Sequence, residues 1–126
     1  METLIIQAGA KTPFISLNDS GVIEIKGKSI PENSVEFYQP VFSWLDAYSQ
    51  NPLSKTSVLV HLEYFNTSSS KCLLDIFRKL EKVHTGNNGV SVLWLFETDD
   101  EDMQEAGDDY QSIVKIPFTI KPVEEN

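Results

Sequence analysis

Few side chains in this sequence are of the types that do covalent or metal chemistry, and none stands in a working pattern. The two histidines are His61 and His84, and neither belongs to an HExxH-type pair. The single cysteine, Cys72, cannot build a Cys-rich metal site or an intramolecular disulfide. His61 and Glu63 share a strand face, but no nucleophile accompanies them. Cys72 falls in the first turn of a helix pattern, where a thiolate is favoured. Standing alone, it reads as a small core or boundary residue. His61 reads as structural, and His84 as a favourable charge at a helix C-terminus. There is no GxSxG elbow, GxGxxG fingerprint or Walker A loop. The acidic run "DDEDMQEAGDD" lacks the alternating ligands, central glycine and closing glutamate of an EF-hand loop. An enzyme working through His61 or Cys72 is therefore the minority reading, and neither a metal nor a cofactor is expected.

The stretch that invites chemistry is "EYFNTSSSK", residues 63–71. An apolar strand pattern stops there, four hydroxyl residues follow, and an amphipathic helix pattern begins. Thr67 or Ser68 is the natural N-cap, its oxygen accepting from backbone N–H groups two or three residues on. A cap uses one hydroxyl, and the run has four. A helix N-terminus also tolerates added phosphate, because it presents free N–H groups and partial positive charge. Phosphorylation there would reverse the local surface charge. Lys71 can pair with Asp75 at i+4 or approach such a phosphate. On physical grounds alone, Thr67, Ser68, Ser69 and Ser70 are equivalent acceptors.

These residues must be positioned by a chain of 126 residues, the size of one domain. With 40% hydrophobic and 10% aromatic residues it can build a core without disulfides or metal. One cysteine suits a reducing, cytoplasmic setting. The start, "METLIIQAGAK", lacks the basic and long apolar regions of a signal peptide, and no apolar run approaches a membrane span. The net charge is −9, and residues 97–109 hold eight of the nineteen acids. No Lys or Arg occurs between Lys82 and Lys115. This argues against nucleic acid and against an anionic membrane surface. The acidic stretch reads as a solvated helix that keeps the protein soluble, or as a surface for a basic protein partner.

The periodicities give the order β-β-α-β-α-β-α-β. "FISL" and "VIEIKG" flank the turn formers "NDSG" as a hairpin. A helix starts through Pro31 and Asn33, with Val35, Tyr38, Phe42, Leu45 and Tyr48 at helical spacing. Pro40 inside it predicts a kink or a separate first turn. In the strand "TSVLVHLEYFN", Val58, Val60, Leu62 and Tyr64 point one way and Leu59, His61, Glu63 and Phe65 the other. Apolar residues on both faces suggest a strand inside the sheet. The next helix carries the stripe Leu73, Ile76, Phe77, Leu80 and Val83, ended by His84 and Gly86. "VSVLWLFE" is another buried strand. Thr98 and Glu101 read as a capping box for a helix with Met103, Ala106, Tyr110 and Ile113 inside. "IPFTIKPV" closes the domain, and "EEN" is a frayed tail. The class is α/β: a single domain with a mixed sheet, an N-terminal hairpin and about three helices.

Three segments carry a resemblance over nearly the whole chain: "SIPENSVEFY", "LEYFNTSSSKCLLDIFRKLEKVHTGNNGVSVLW" and "IPFTI". They resemble the SiaC-like regulatory phosphoproteins of bacteria, whose fold is similar to the STAS domains of anti-sigma-factor antagonists. The resemblance implies partner switching. A cognate kinase phosphorylates a threonine in the Asn-Thr-Ser-Ser block, and a metal-dependent phosphatase removes the phosphate. The unphosphorylated form binds and activates a diguanylate cyclase, raising cyclic di-GMP and favouring biofilm. By position in that block the acceptor is Thr67, with Ser68 second. Asn66, Ser68 and Ser69 shape the loop. The partner surface is centred on a helix starting near Ser69, with Lys71, Asp75, Lys79 and Lys82 exposed. The expected protein is non-catalytic and monomeric when free. The alternatives are an anti-sigma-factor-antagonist type of switch, a constitutive acidic adaptor, and the enzyme above.

Overall fold

The structure is a computed structural model that describes residues 2–85 and 87–124. Gly86 and the last two residues of the tail lie outside the described residues. The chain runs β1 (Leu4–Ile6), β2 (Phe14–Leu17), β3 (Val22–Ser29), α1 (Ser34–Tyr48), β4 (Lys55–Phe65), α2 (Thr67–Val83), β5 (Gly89–Glu97), α3 (Glu101–Ile113) and β6 (Phe118–Val123). The six strands form one sheet in sequence order. β1, β2 and β3 pair antiparallel, and β3 through β6 pair parallel. Strand β1 was not expected from the sequence; its three residues are too few to show a period.

The expected hairpin is β2–β3. Asn18 Oδ1 accepts from the Ser20 N–H at 2.8 Å, and Gly21 takes φ +88°. A Cβ at Gly21 would also stand 2.6 Å from the Lys55 carbonyl, so the turn needs glycine twice over. Helix α1 is capped by Asn33 as expected, its side chain accepting from the Glu36 N–H. It runs through Pro40 as one helix rather than as a separate first turn. Pro40 is exposed, so its ring meets solvent rather than the core. Val35 is exposed, and the inner face is Tyr38, Val41, Trp44, Leu45 and Tyr48.

All three helices pack on one face of the sheet, against the alternate residues Val58, Val60, Leu62, Val92 and Trp94. Tyr48 bonds Thr56 on that face, and the Met103 carbonyl accepts from the Trp94 indole. The α2 stripe Leu73, Ile76, Phe77, Leu80 and Val83 is fully buried, each residue at 1% exposure or less. Burial of each such side chain stabilises by roughly 1.5–3 kcal/mol. The opposite sheet face carries no helix; there Leu59, Leu93 and Leu95 are half-buried. β4 and β5 are inside the sheet as expected, but covered on one side only.

Strand β4 departs from simple alternation at its end. Leu62 pairs with Gly27 and Tyr64 with Lys28, so Glu63 is an extra residue in β4. Gly27 opposite it has φ +108°. The bulge reverses the side-chain parity. Tyr64, expected on the face of Val58, Val60 and Leu62, is 58% exposed, and Phe65, expected on the other face, packs edge-on against Trp94.

Candidate functional site

The site is a corner where β3 and β4 end and where α1 and α2 begin. Asn66 fixes it. Its backbone N–H donates to the Ser29 carbonyl at 3.0 Å, and its Nδ2 donates to the Pro31 carbonyl at 3.3 Å. Its Oδ1 accepts from the Ser69 N–H at 2.9 Å, which makes Asn66 the N-cap of α2. The expected cap, Thr67 or Ser68, is therefore corrected by one residue. Asn caps as well as Ser and better than Thr, and the Ser29 and Pro31 contacts hold it in place. Helix α2 begins at Thr67, not near Ser69.

With the cap assigned, the four hydroxyls have four different environments. Ser69 is 0% exposed. Its Oγ donates to the Ser29 carbonyl at 3.0 Å and accepts from Ser29 Oγ at 2.8 Å. Tyr38 lies 2.6 Å beyond, hydroxyl to Ser29 Oγ, with its phenol pushed up to about 12 by burial. It stays protonated and can donate into the cluster. Ser68 is exposed but bonded: its Oγ donates to Asn66 Oδ1 at 3.2 Å and lies 2.7 Å from Ser34 Oγ. Ser70 is half-buried; its hydroxyl lies 3.2 Å from the Tyr110 hydroxyl, which itself donates to the Ser70 carbonyl at 2.8 Å. Thr67 is exposed, and its hydroxyl has no hydrogen-bond partner among the described residues. Sequence reasoning missed Ser29, Ser34, Tyr38 and Tyr110 as partners of this run. A serine in phase with the apolar Ile23 and Ile25 at the end of its strand, as Ser29 is, was the available signal.

Helix α2 has no acid in its first turn, whereas α1 has Glu36 and α3 has Glu101 and Asp102 there. The corner keeps the partial positive charge of the α2 end, while Glu36 offsets that of α1. Lys71, Asp75 and Lys82 are exposed, as expected. Lys71 and Asp75 form no ion pair with each other. Lys79 is half-buried: it pairs with Asp46 of α1 at 2.7 Å and sits 5.7 Å from the Phe42 ring. It ties two helices together rather than standing free for a partner.

The residues of the enzyme reading are occupied elsewhere. His61 Nε2 lies 3.2 Å from Glu97 Oε1 on β5, not with Glu63. His84 is the C-cap of α2, and its Nδ1 accepts from the Val90 N–H at 2.9 Å. Cys72 is 2% exposed, and burial pushes its thiol up, the opposite of an activated nucleophile. In the acidic stretch the cap of α3 is Asp100, accepting from the Met103 N–H, rather than Thr98. Thr98 is held instead by Val123, to whose carbonyl its N–H donates. Met103 and Tyr110 are buried as expected, whereas Ile113 is 45% exposed and Gly107 takes the inner position. No helix of the described residues is long and apolar enough to cross a membrane.

Fold and corner together define a class: a small two-layer α/β domain that presents helix N-termini and surface hydroxyls. The model of the SiaC family of regulatory phosphoproteins matches residues 6–123, and the chain belongs to that family. It is 30% identical to an uncharacterised protein of Pseudomonas aeruginosa strain UCBPP-PA14, over 99% of this chain and 100% of the other. It is also similar to the crystal structure of apo-SiaC from Pseudomonas aeruginosa, with TM-score 0.84 and 30% identity over 96% of this chain and 99% of that one. A chain in the crystal structure of the diguanylate cyclase SiaD in complex with its activator SiaC, from the same organism, matches with TM-score 0.88. The identity there is 30%, over 95% of this chain and 99% of that one.

Proposed function

We propose that this protein is a non-catalytic, cytoplasmic partner switch that is reversibly phosphorylated on Thr67. A cognate kinase adds the phosphate and a metal-dependent phosphatase removes it. The unphosphorylated form binds and activates a diguanylate cyclase and so raises cyclic di-GMP. The observation that carries the reading is the inequality of the four hydroxyls. Of the four, Thr67 alone is both exposed and unbonded among the described residues, while the hydroxyls of Ser68, Ser69 and Ser70 are engaged.

The helix geometry supports the same residue. Thr67 is the first residue of α2, so a phosphate there meets the helix N-terminus, where negative charge is favoured. Lys71 lies at i+4, the favourable arrangement of an anion N-terminal to a cation. Asn66 and Ser69 keep the turn in place while the charge of its outer surface changes. The family membership and the SiaD–SiaC complex support the cyclase as target. The test is cyclase turnover with purified components. Unmodified protein and Thr67→Ala are expected to raise cyclic di-GMP synthesis, and protein phosphorylated on Thr67 is not. Equal activation by both forms would remove the switch.

A further inference from the structure

Strands β3 to β6 run parallel, and parallel strands are ordinarily covered on both faces. Here all three helices lie on one face. The other face presents Val22, which is 44% exposed, and the half-buried Leu59, Leu93 and Leu95. Val22, Leu59 and Leu93 surround a shallow depression of about 450 Å³ whose middle holds the small residues Ser57 and Ser91. The strand register sets the charges of this face in rows. Glu24, Leu59, Leu93 and Thr119 are level with one another, and Lys26, His61, Leu95 and Lys121 form the next row. One step further along β5, Glu97 Oε1 lies 3.2 Å from His61 Nε2. Its Oε2 is buried and has no hydrogen-bond partner among the described residues.

We propose that this face pairs with the same face of a second copy of the chain. The two-fold axis lies between the two sheets, perpendicular to the strands and level with Ile25 and Trp94. That operation lays each row over the other. Glu24 meets Lys26 of the partner subunit, and Lys26 meets the partner's Glu24. Leu93 packs on the partner's Leu95. Ser91 comes opposite the partner's Glu97, where its hydroxyl can donate to the open Oε2. The alternative two-fold, parallel to the strands, is disfavoured, because it sets Lys26 over Lys121 of the partner subunit. The pairing is isologous and closes at two copies. The face spans roughly 20 by 20 Å from β2 to β6. Two such faces with their side-chain relief bury about 1,200 Å², the lower end of stable interfaces, which suits a reversible dimer. A reversible dimer takes the place of the free monomer expected from the sequence. The inference does not depend on phosphorylation. It leaves the helix layer outside, so that each dimer carries two Thr67 corners.

The test is sedimentation equilibrium of the unmodified full chain and its variants, with urea midpoints to check that each is folded. The expected result is a monomer–dimer equilibrium with a dissociation constant on the order of 10 μM. Glu24→Lys and Lys26→Glu should each weaken the dimer about tenfold or more, because each sets like charges against each other twice. The double variant should return to within about threefold of the parent, because the pairs are then only inverted. Leu93→Glu should abolish the dimer, and Asp109→Lys on the helix layer should leave it unchanged. A monomer at every concentration up to about 1 mM would overturn the proposal. So would a double variant no better than the single ones, or a dimer that Asp109→Lys weakens and Leu93→Glu does not. A monomer in which Leu93→Glu lowers cyclase activation would give the face to the cyclase and overturn it as well.

Discussion

The Ser34 hydroxyl lies 2.7 Å from the Ser68 hydroxyl, and this contact joins the first turns of α1 and α2. Two helix N-termini that are 34 residues apart in sequence thereby share one polar cluster with Ser69, Ser29 and Tyr38. The cluster engages the hydroxyls that face inward and leaves Thr67 outside it. Rigidity and availability are separated within a single helical turn, which is what a modifiable surface on a stable corner requires.

Stability measurements should expose that separation. Ser69→Ala removes two buried hydrogen bonds to Ser29, whose carbonyl keeps Asn66 and whose hydroxyl keeps Tyr38, and should cost about 1–3 kcal/mol. Asn66→Ala removes the α2 cap and should cost about 0.5–2 kcal/mol. Thr67→Ala should stay within about 0.5 kcal/mol of the parent. Urea unfolding of the three variants checks the order. A Thr67→Ala loss as large as that of Ser69→Ala would mean that the Thr67 hydroxyl is engaged.

Gly107 lets α3 approach the sheet. A Cβ there would stand 2.5 Å from Trp94 Cδ1 and 2.8 Å from Nε1. Gly107→Ala gains about 1 kcal/mol of helix propensity and should lose about 1–3 kcal/mol to overpacking. The expected result is a lower thermal midpoint with shifted tryptophan fluorescence, because the Trp94 indole bonds the Met103 carbonyl of the same helix. An unshifted spectrum would contradict this packing.

Acid should loosen the end of α2. Burial of Glu81 alone would raise its pKa. The Lys115 N–H at 2.6 Å and Arg78 at 3.0 Å outweigh that and hold the carboxyl below its ordinary value of 4.5. Since the folded pKa is the lower one, this contribution is complete above the unfolded value and is lost as pH falls through the folded one. Glu81→Gln should therefore lose stability at pH 7 and narrow the gap between urea midpoints at pH 7 and below pH 4.5. An unchanged gap would show that Glu81 is not involved.

Phosphorus NMR can read the proposed phosphate directly. In the protein phosphorylated on Thr67, the helix end and Lys71 favour the dianion, so its second pKa should lie below the usual value of about 6. Lys71→Ala should move it part of the way back. A pKa indifferent to Lys71 would place the phosphate away from α2.

Much of this was legible because it is local. The α2 stripe from Leu73 to Val83 shows a clean 3.6-residue period, and all five residues are buried. The turn at Asn18–Gly21 and the Asn33 cap follow from residue type alone. What failed depends on distant partners. The exchange of Tyr64 and Phe65 comes from a bulge at Glu63 set opposite Gly27 on another strand. Asn66 displaced Thr67 as cap because Ser29 and Pro31 hold it, and Thr98 yielded to Asp100 because Val123 holds Thr98. Which of four adjacent hydroxyls stays free is decided by Ser29, Ser34 and Tyr110, each 34 to 40 residues away.

The most direct measurement is a phosphopeptide map of the protein isolated from its own cells with phosphatase inhibitors present. The account predicts phosphate on Thr67 and none on Ser69, whose hydroxyl no enzyme can reach in the folded protein. Phosphate on Ser68 or Ser70 with Thr67 unmodified, or no phosphate in any growth condition, would contradict it.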